Sequence, residues 1–152
     1  MYNCLMRLKI LIIDYDQFQA DLLEKVIKEL GHDVFTTVNV EKALKLVQSQ
    51  CQQNNPFDLV FTEFMLGQVT GIDLCKQLKA IDPVLTVIMV TADNSQETKK
   101  LVAEYGGLAG FISKSSDVAE IGYQLDIAMS NKKARLSGEK SEYLKRMKDN
   151  QK

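Results

Sequence analysis

Four short apolar runs in this chain each end in a group that could do chemistry. Leu8 to Ile13 ends in Asp14-Tyr15-Asp16, and the run opening at Phe57 ends in Glu63. Val84 to Val90 stops at Thr91, and Ala109 to Ser113 stops at Lys114. Acids close together, such as Asp14 and Asp16, can recruit a divalent cation. An ammonium near a carboxylate of opposite charge, as Lys114 and Glu63 would be, makes a charge-assisted pair. These four groups matter only if the fold brings them together.

The elements that would do so are legible as pattern. Short apolar runs bounded by turn residues read as strands buried on both faces, which belong to parallel sheets covered by helices. Between them lie amphipathic stretches. Phe18, Leu22, Val26, Ile27 and Leu30 recur at helical spacing and stop at Gly31, beside His32. Val34-Phe35-Thr36 reads as a strand, and Asn39 as the N-cap of a helix turning Ala43, Leu44 and Val47 inward. A loop through Gly67 leads to Gly71 and a helix with Leu74, Cys75, Leu78 and Ile81, broken at Asp82-Pro83. A fourth helix carries Leu101, Val102 and Tyr105 and stops at Gly106-Gly107. Ser116 is expected to cap a fifth, with Val118, Ile121, Leu125 and Met129 on the core. Five strands alternating with five helices specify an α/β, doubly wound, five-stranded parallel sheet. Right-handed crossovers and the rule that ligands sit at strand carboxyl ends put Asp14, Glu63, Thr91 and Lys114 on one functional edge.

The chain has 152 residues, 45% of them hydrophobic, enough for one domain with some length to spare. Nineteen Lys and Arg against twenty Asp and Glu leave a formal charge of -1, which argues against nucleic acid as a bulk partner. Cys4, Cys51 and Cys75 match no metal or redox spacing and fit a reducing compartment. Ile10 to Ile13 is too short to target or cross a membrane, so a cytoplasmic protein is expected. Residues 1–130 read as one domain and residues 131–152 as a basic C-terminal extension. That extension is rich in Lys and Arg, with Tyr143, Leu144 and Met147 clustered at helical spacing. It reads as a solvated helical tail or, functionally, as a docking segment.

The ordered set of acid cluster, single acid, Thr and Lys on five strands resembles the receiver domain of bacterial response regulators. The resemblance covers roughly Lys9 to Met129, and Asn39-x-Glu41-x-Ala43-Leu44 and Gly71 also fit the family pattern. It implies a flavodoxin-like fold and a role in two-component, phosphorelay signalling rather than an enzymatic one. It places Asp14-Tyr15 at the acidic pair, Glu63 at the phosphoacceptor, Thr91 and Phe111 at the switch positions and Lys114 at the phosphate-pairing lysine. In such domains an aspartate attacks phosphohistidine while an acid-held cation gathers the phosphoryl oxygens. Docking is implied at the fourth helix, fifth strand and fifth helix: about Ser95 to Tyr105, Ala109 to Ser113 and Asp117 to Met129. The partner would be a kinase, another regulator or a second copy. No output domain follows in this sequence, so the signal would pass through protein contacts or the basic tail.

Two departures fall in the site itself. Glu63 is one methylene longer than aspartate, and a displacement on the order of 1 Å can cost ~10²-fold in rate. Tyr15 puts a neutral phenol where a metal-holding acid is expected. Ser115 and Gly67 also stand where the family usually has proline. The resulting expectation is a pseudo-receiver that is not phosphorylated, with no firm cofactor. Asp14, Asp16 and Glu63 could still recruit a weakly held Mg²⁺. The alternative is a conventional regulator, phosphorylated at Glu63 with Mg²⁺. A remoter one rests on Asp14-Tyr15-Asp16, which is similar to the DxD motif of haloacid-dehalogenase phosphatases. There Asp14 would be nucleophile and Asp16 general acid, with Thr91 and Lys114 on phosphate. It lacks the later acidic pair and leaves Glu63 without a role.

Overall fold

The computed structural model describes residues 6–149, with side chains as far as residue 133. The chain runs β1 (Lys9–Ile13), α1 (Gln17–Glu29), β2 (Asp33–Thr37), α2 (Val40–Gln52) and β3 (Leu59–Thr62). Two two-residue strands follow, β4 (Met65–Leu66) and β5 (Val69–Thr70), then α3 (Gly71–Ile81). β6 (Thr86–Thr91), α4 (Gln96–Tyr105), β7 (Gly110–Ser113) and α5 (Val118–Asp149) complete it. The main sheet is parallel throughout, in the order β2-β1-β3-β6-β7. The doubly wound five-stranded sheet expected from the sequence is therefore present. Because the strand order reverses at β1, the crevice between the loops after β1 and β3 is the place such sheets offer a ligand.

Alternation along each strand divides the core between the two faces. Ile10, Ile12, Leu59, Phe61, Ile88, Val90 and Ile112 pack under Ala20 and Ile27 of α1 and Ile121, Leu125 and Ala128 of α5. Leu11, Ile13, Val60 and Val87 face the other way, onto Ala43 and Val47 of α2 and Leu74, Cys75 and Leu78 of α3. Burial on both faces is why these strands read as continuous apolar runs rather than alternating ones.

Caps set the helix boundaries. Asn39 caps α2, accepting from the Lys42 N–H at 2.9 Å, as its position predicts. α3 starts in a capping box of Thr70 and Asp73, and α4 ends at Gly106, whose φ of 68° is left-handed. Three details differ from the sequence reading. α5 is capped by Asp117, which accepts from the Glu120 N–H at 2.9 Å, not by Ser116 one residue earlier. Phe18 and Leu22 of α1 and Val118 of α5 are exposed, the core contacts passing to Ala20, Leu23 and Ile27 and to Ile121. The Gly67 loop is an antiparallel hairpin, β4 with β5, rather than irregular chain. α5 continues as one helix across residue 130 to Asp149. The apolar cluster read at Tyr143, Leu144 and Met147 lies outside the described side chains, and Cys4 outside the described residues.

Candidate functional site

Strand register brings the expected residues to one edge. Ile13 pairs with Thr62, so Asp14 and Glu63 emerge side by side, the Glu63 N–H donating to the Ile13 carbonyl at 3.1 Å. Thr91 pairs with Ser113, and the Lys114 N–H donates to the Thr91 carbonyl at 3.0 Å. From there the Lys114 side chain reaches back across β6. Its Nζ lies 2.8 Å from Asp14 Oδ2 and 2.6 Å from Glu63 Oε2, and the three side chains are only 16%, 9% and 11% exposed. The ion pair expected between Glu63 and Lys114 forms, with Asp14 as a second carboxylate on the same ammonium. Burial alone would push the lysine pKa down, but hydrogen bonds to Asp14 and Glu63 and their charges outweigh it, holding Lys114 above its ordinary value.

The remaining carboxylate oxygens are largely committed to backbone. Glu63 Oε1 accepts from the Phe64 N–H at 2.6 Å, and Asp14 Oδ1 from the Asp16 N–H at 2.9 Å. Asp16 Oδ1 accepts from the Phe18 and Gln19 N–H groups at 2.9 and 3.3 Å, so Asp16 is the N-cap of α1. The Glu63 backbone is fixed from below. The Gly71 N–H donates to the Phe64 carbonyl at 2.6 Å, and a Cβ on Gly71 would collide with the Glu63 carbonyl oxygen. Tyr15 is 64% exposed and its ring lies over the hairpin turn. A Cβ on Gly67, which holds a φ of 79°, would meet Tyr15 Cε2 at 3.0 Å. Glycine is needed there for its conformation, since the exposed Tyr15 ring is free to give way to a Cβ.

Thr91 is buried, and its Oγ1 accepts from the Asp93 N–H at 3.1 Å. Phe111 is partly buried and points to the face opposite Ile112, which belongs to the α1/α5 side of the core. Sequence reading passed over Asp93. It accepts from the Thr98 hydroxyl at 2.6 Å and the Ser95 N–H at 2.9 Å, tying the loop after β6 to the first turn of α4. These bonds, the Thr98 hydroxyl first, hold its carboxyl below the usual range. The signal that could have found it is a Ser cap with Asp two residues before and Thr three after.

A divalent cation of the kind receiver domains employ needs free carboxylate oxygens that converge. Here Lys114 takes one oxygen from Asp14 and one from Glu63, Asp16 caps a helix, and Tyr15 offers a phenol. Among the described residues no group of three or more His, Cys, Asp or Glu side chains could hold a metal. The residues present therefore do not fit a firm Mg²⁺ site. Asp16, which the DxD phosphatase reading would make the general acid, is engaged through Oδ1 as the cap of α1.

Comparison with known proteins agrees with this geometry. The model of the response regulator receiver domain matches residues 10–126. The alkaline phosphatase synthesis transcriptional regulatory protein PhoP of Bacillus subtilis is 33% identical over 101 residues, covering 66% of this chain and 40% of that protein. The DNA-binding transcriptional regulator NtrC of Azospirillum brasilense is 30% identical over 112 residues, 74% of this chain and 22% of its own. The chain thus spans less than half the length of these curated relatives. A response regulator receiver domain protein from Clostridium thermocellum superposes with a TM-score of 0.73 at 22% identity, over 84% of this chain and 98% of that one. NtrX from Brucella abortus, solved in complex with ATP, gives 0.75 at 22% identity over 89% of this chain and 29% of its own. Register, strand-end chemistry and the family match coincide on the same residues, and the chain belongs to the response regulator receiver family.

Proposed function

We propose that this receiver domain signals through protein contacts without accepting phosphate. The observation that carries the reading is the Lys114 ammonium bridging Asp14 and Glu63 while the Phe64 N–H holds the other Glu63 oxygen. A nucleophilic carboxylate must approach phosphorus in line, with a cation offsetting the phosphoryl charge. Glu63 is both overlong and turned onto Lys114, and Tyr15 stands where an acid would complete the cation site. The outlet for the signal is the surface of α4, β7 and α5, where Leu101 and Tyr123 are 44% and 51% exposed. A kinase, another regulator or a second copy would read that face, and residues 131–152 would act as a basic extension to the 1–130 body.

The test is incubation with acetyl phosphate and Mg²⁺ followed by intact mass. The expected result is an unmodified chain. A phosphate adduct that disappears in Glu63→Gln would replace this reading with the conventional one. That second reading draws support from Thr91 and Lys114, which keep the types and places that phosphate recognition uses.

A further inference from the structure

A second feature of the site edge has no part in phosphate chemistry. Tyr15, Val38, Val40, Leu66 and Val69 line a groove of about 480 Å³ between the loop after β2 and the β4–β5 hairpin, with Asn39, Glu41 and Gln68 completing its wall. Tyr15 and Val38 are 64% and 37% exposed there, and neighbouring Met65 is 55% exposed. Apolar groups left open to water next to an acid suit a segment with apolar anchors flanked by basic side chains. The chain carries such a segment. Residues 131–152 hold eight Lys and Arg against three Asp and Glu, which leaves eleven against seventeen in residues 1–130. The body is thus at -6 and the extension at +5. Leu136, Tyr143 and Met147 recur at helical spacing among Lys140, Lys145, Arg146 and Lys148.

The same molecule cannot join these two features while the helix stays straight. α5 starts at the site edge, just after Lys114, and runs back along the sheet. By Lys132 it has reached the opposite edge, where Nζ donates to the carbonyl of Asp58, the residue before β3, at 3.2 Å. The seventeen further residues to Asp149 carry the helix about 25 Å onward, away from the groove. A helix of this length gains little from its own backbone in water and needs a packed face to be stable.

We infer that the groove formed by Tyr15, Val38, Val40, Leu66 and Val69 is a docking site for the basic C-terminal helix of a second copy of this chain. Tyr143, Leu144 and Met147 supply the apolar anchors, and Lys145 or Arg146 meets Glu41. The contact joins opposite poles of the molecule, so it closes as a reciprocal pair or continues as a chain of copies. It stands whether or not Glu63 accepts phosphate, and its failure would leave the proposed function untouched.

Sedimentation of the full chain at about 50 mM and about 500 mM NaCl tests it, since the basic part of the contact is screened by salt. Concentration-dependent association at low salt, weakened at high salt, is expected. Val38→Asp in the groove and Leu144→Asp in the helix should each weaken association ~10-fold or more. Glu41→Lys and Arg146→Glu should each weaken it, and an equimolar mixture of the two single variants should associate better than either alone. Circular dichroism confirms that each variant keeps its fold. A chain that is monomeric throughout, or whose association ignores the groove substitutions, overturns the inference. So does tight binding of a duplex oligonucleotide that Leu144→Asp and Arg146→Glu abolish, in a chain that shows no self-association.

Discussion

On the proposed reading, Glu63 and Tyr15 fail different requirements of one reaction: Glu63 would misplace the nucleophile, and Tyr15 would withhold a cation ligand. Groups serving a single transition state are strongly non-additive, so repairing one alone should recover little. Glu63→Asp is expected to stay nearly inert to acetyl phosphate, and Tyr15→Asp to bind Mg²⁺ better yet remain unphosphorylated. Only the double variant should gain a Mg²⁺-dependent, base-labile acyl phosphate, read by intact mass with and without chelator. Either single variant reaching the double's yield would show that one defect was harmless. His32 offers a separate test. It is buried, and its Nδ1 accepts from the Leu8 N–H at 3.1 Å, a bond that the protonated ring cannot make. Burial lowers its pKa from 6.5, and the charges of Asp126, Asp58 and Asp33 only partly oppose that. The unfolded chain therefore binds more protons below pH 6.5, and stability should fall as pH drops through that range. Melting curves from pH 7.5 to about 5 should show the loss, and His32→Gln should flatten it. The strand-end residues were legible because runs buried on both faces must end in something polar. The uses of Asp16 and of Glu63 Oε1 were not, since they depend on where backbone N–H groups point.

At the scale of elements, the Gly67 loop is where sequence pattern gave out. Two-residue strands are too short for periodicity to register, and Gly67 is visible only as a turn. Yet this hairpin carries Leu66 into the core and delivers Gly71 against the Glu63 carbonyl, so it holds Glu63 in place. Gly71→Ala sets a Cβ against that oxygen and Met89 Cε and should cost about 1–3 kcal/mol. Gly31 provides the contrast. Its φ is 94° but nothing lies within 4 Å of a built Cβ, so Gly31→Ala should lose only about 1 kcal/mol, from conformation alone. Denaturant titrations of the two variants separate crowding from φ; equal losses would mean that the approach to Glu63 is not tight. The helices were easier to read. Asn39 and the Gly106 stop were found from residue type, because caps use side-chain chemistry that sequence displays directly. Val118, Phe18 and Leu22 misled because apolar spacing marks a stripe but not its edges, and a sheet covers only part of it.

For the whole molecule, the question is whether any ligand can move it between states. A two-state switch shifts only as far as a ligand's affinities for the two states differ. In a phosphorylated receiver that ligand is the phosphoryl group, which draws the hydroxyl and lysine toward it and lets the aromatic follow. Here Lys114 is already drawn onto Asp14 and Glu63, and the Thr91 hydroxyl accepts from the Asp93 N–H. Asp93 is in turn tied through Thr98 and Ser95 to the first turn of α4. The chain of contacts from β1 to α4 is thus closed by charges that the protein carries itself, and on the proposed reading no phosphate biases it. Phe111 should hold one rotamer in the isolated protein, and relaxation dispersion should find no microsecond–millisecond exchange centred on Thr91 and Phe111. Acetyl phosphate with Mg²⁺ should leave both their shifts and the melting temperature unchanged. Lys114→Ala should behave differently, since it leaves two adjacent carboxylates without their cation and frees the edge to move. If exchange at Thr91 and Phe111 is already present in the unaltered chain, the switch is still bistable, and some partner other than phosphate must set it.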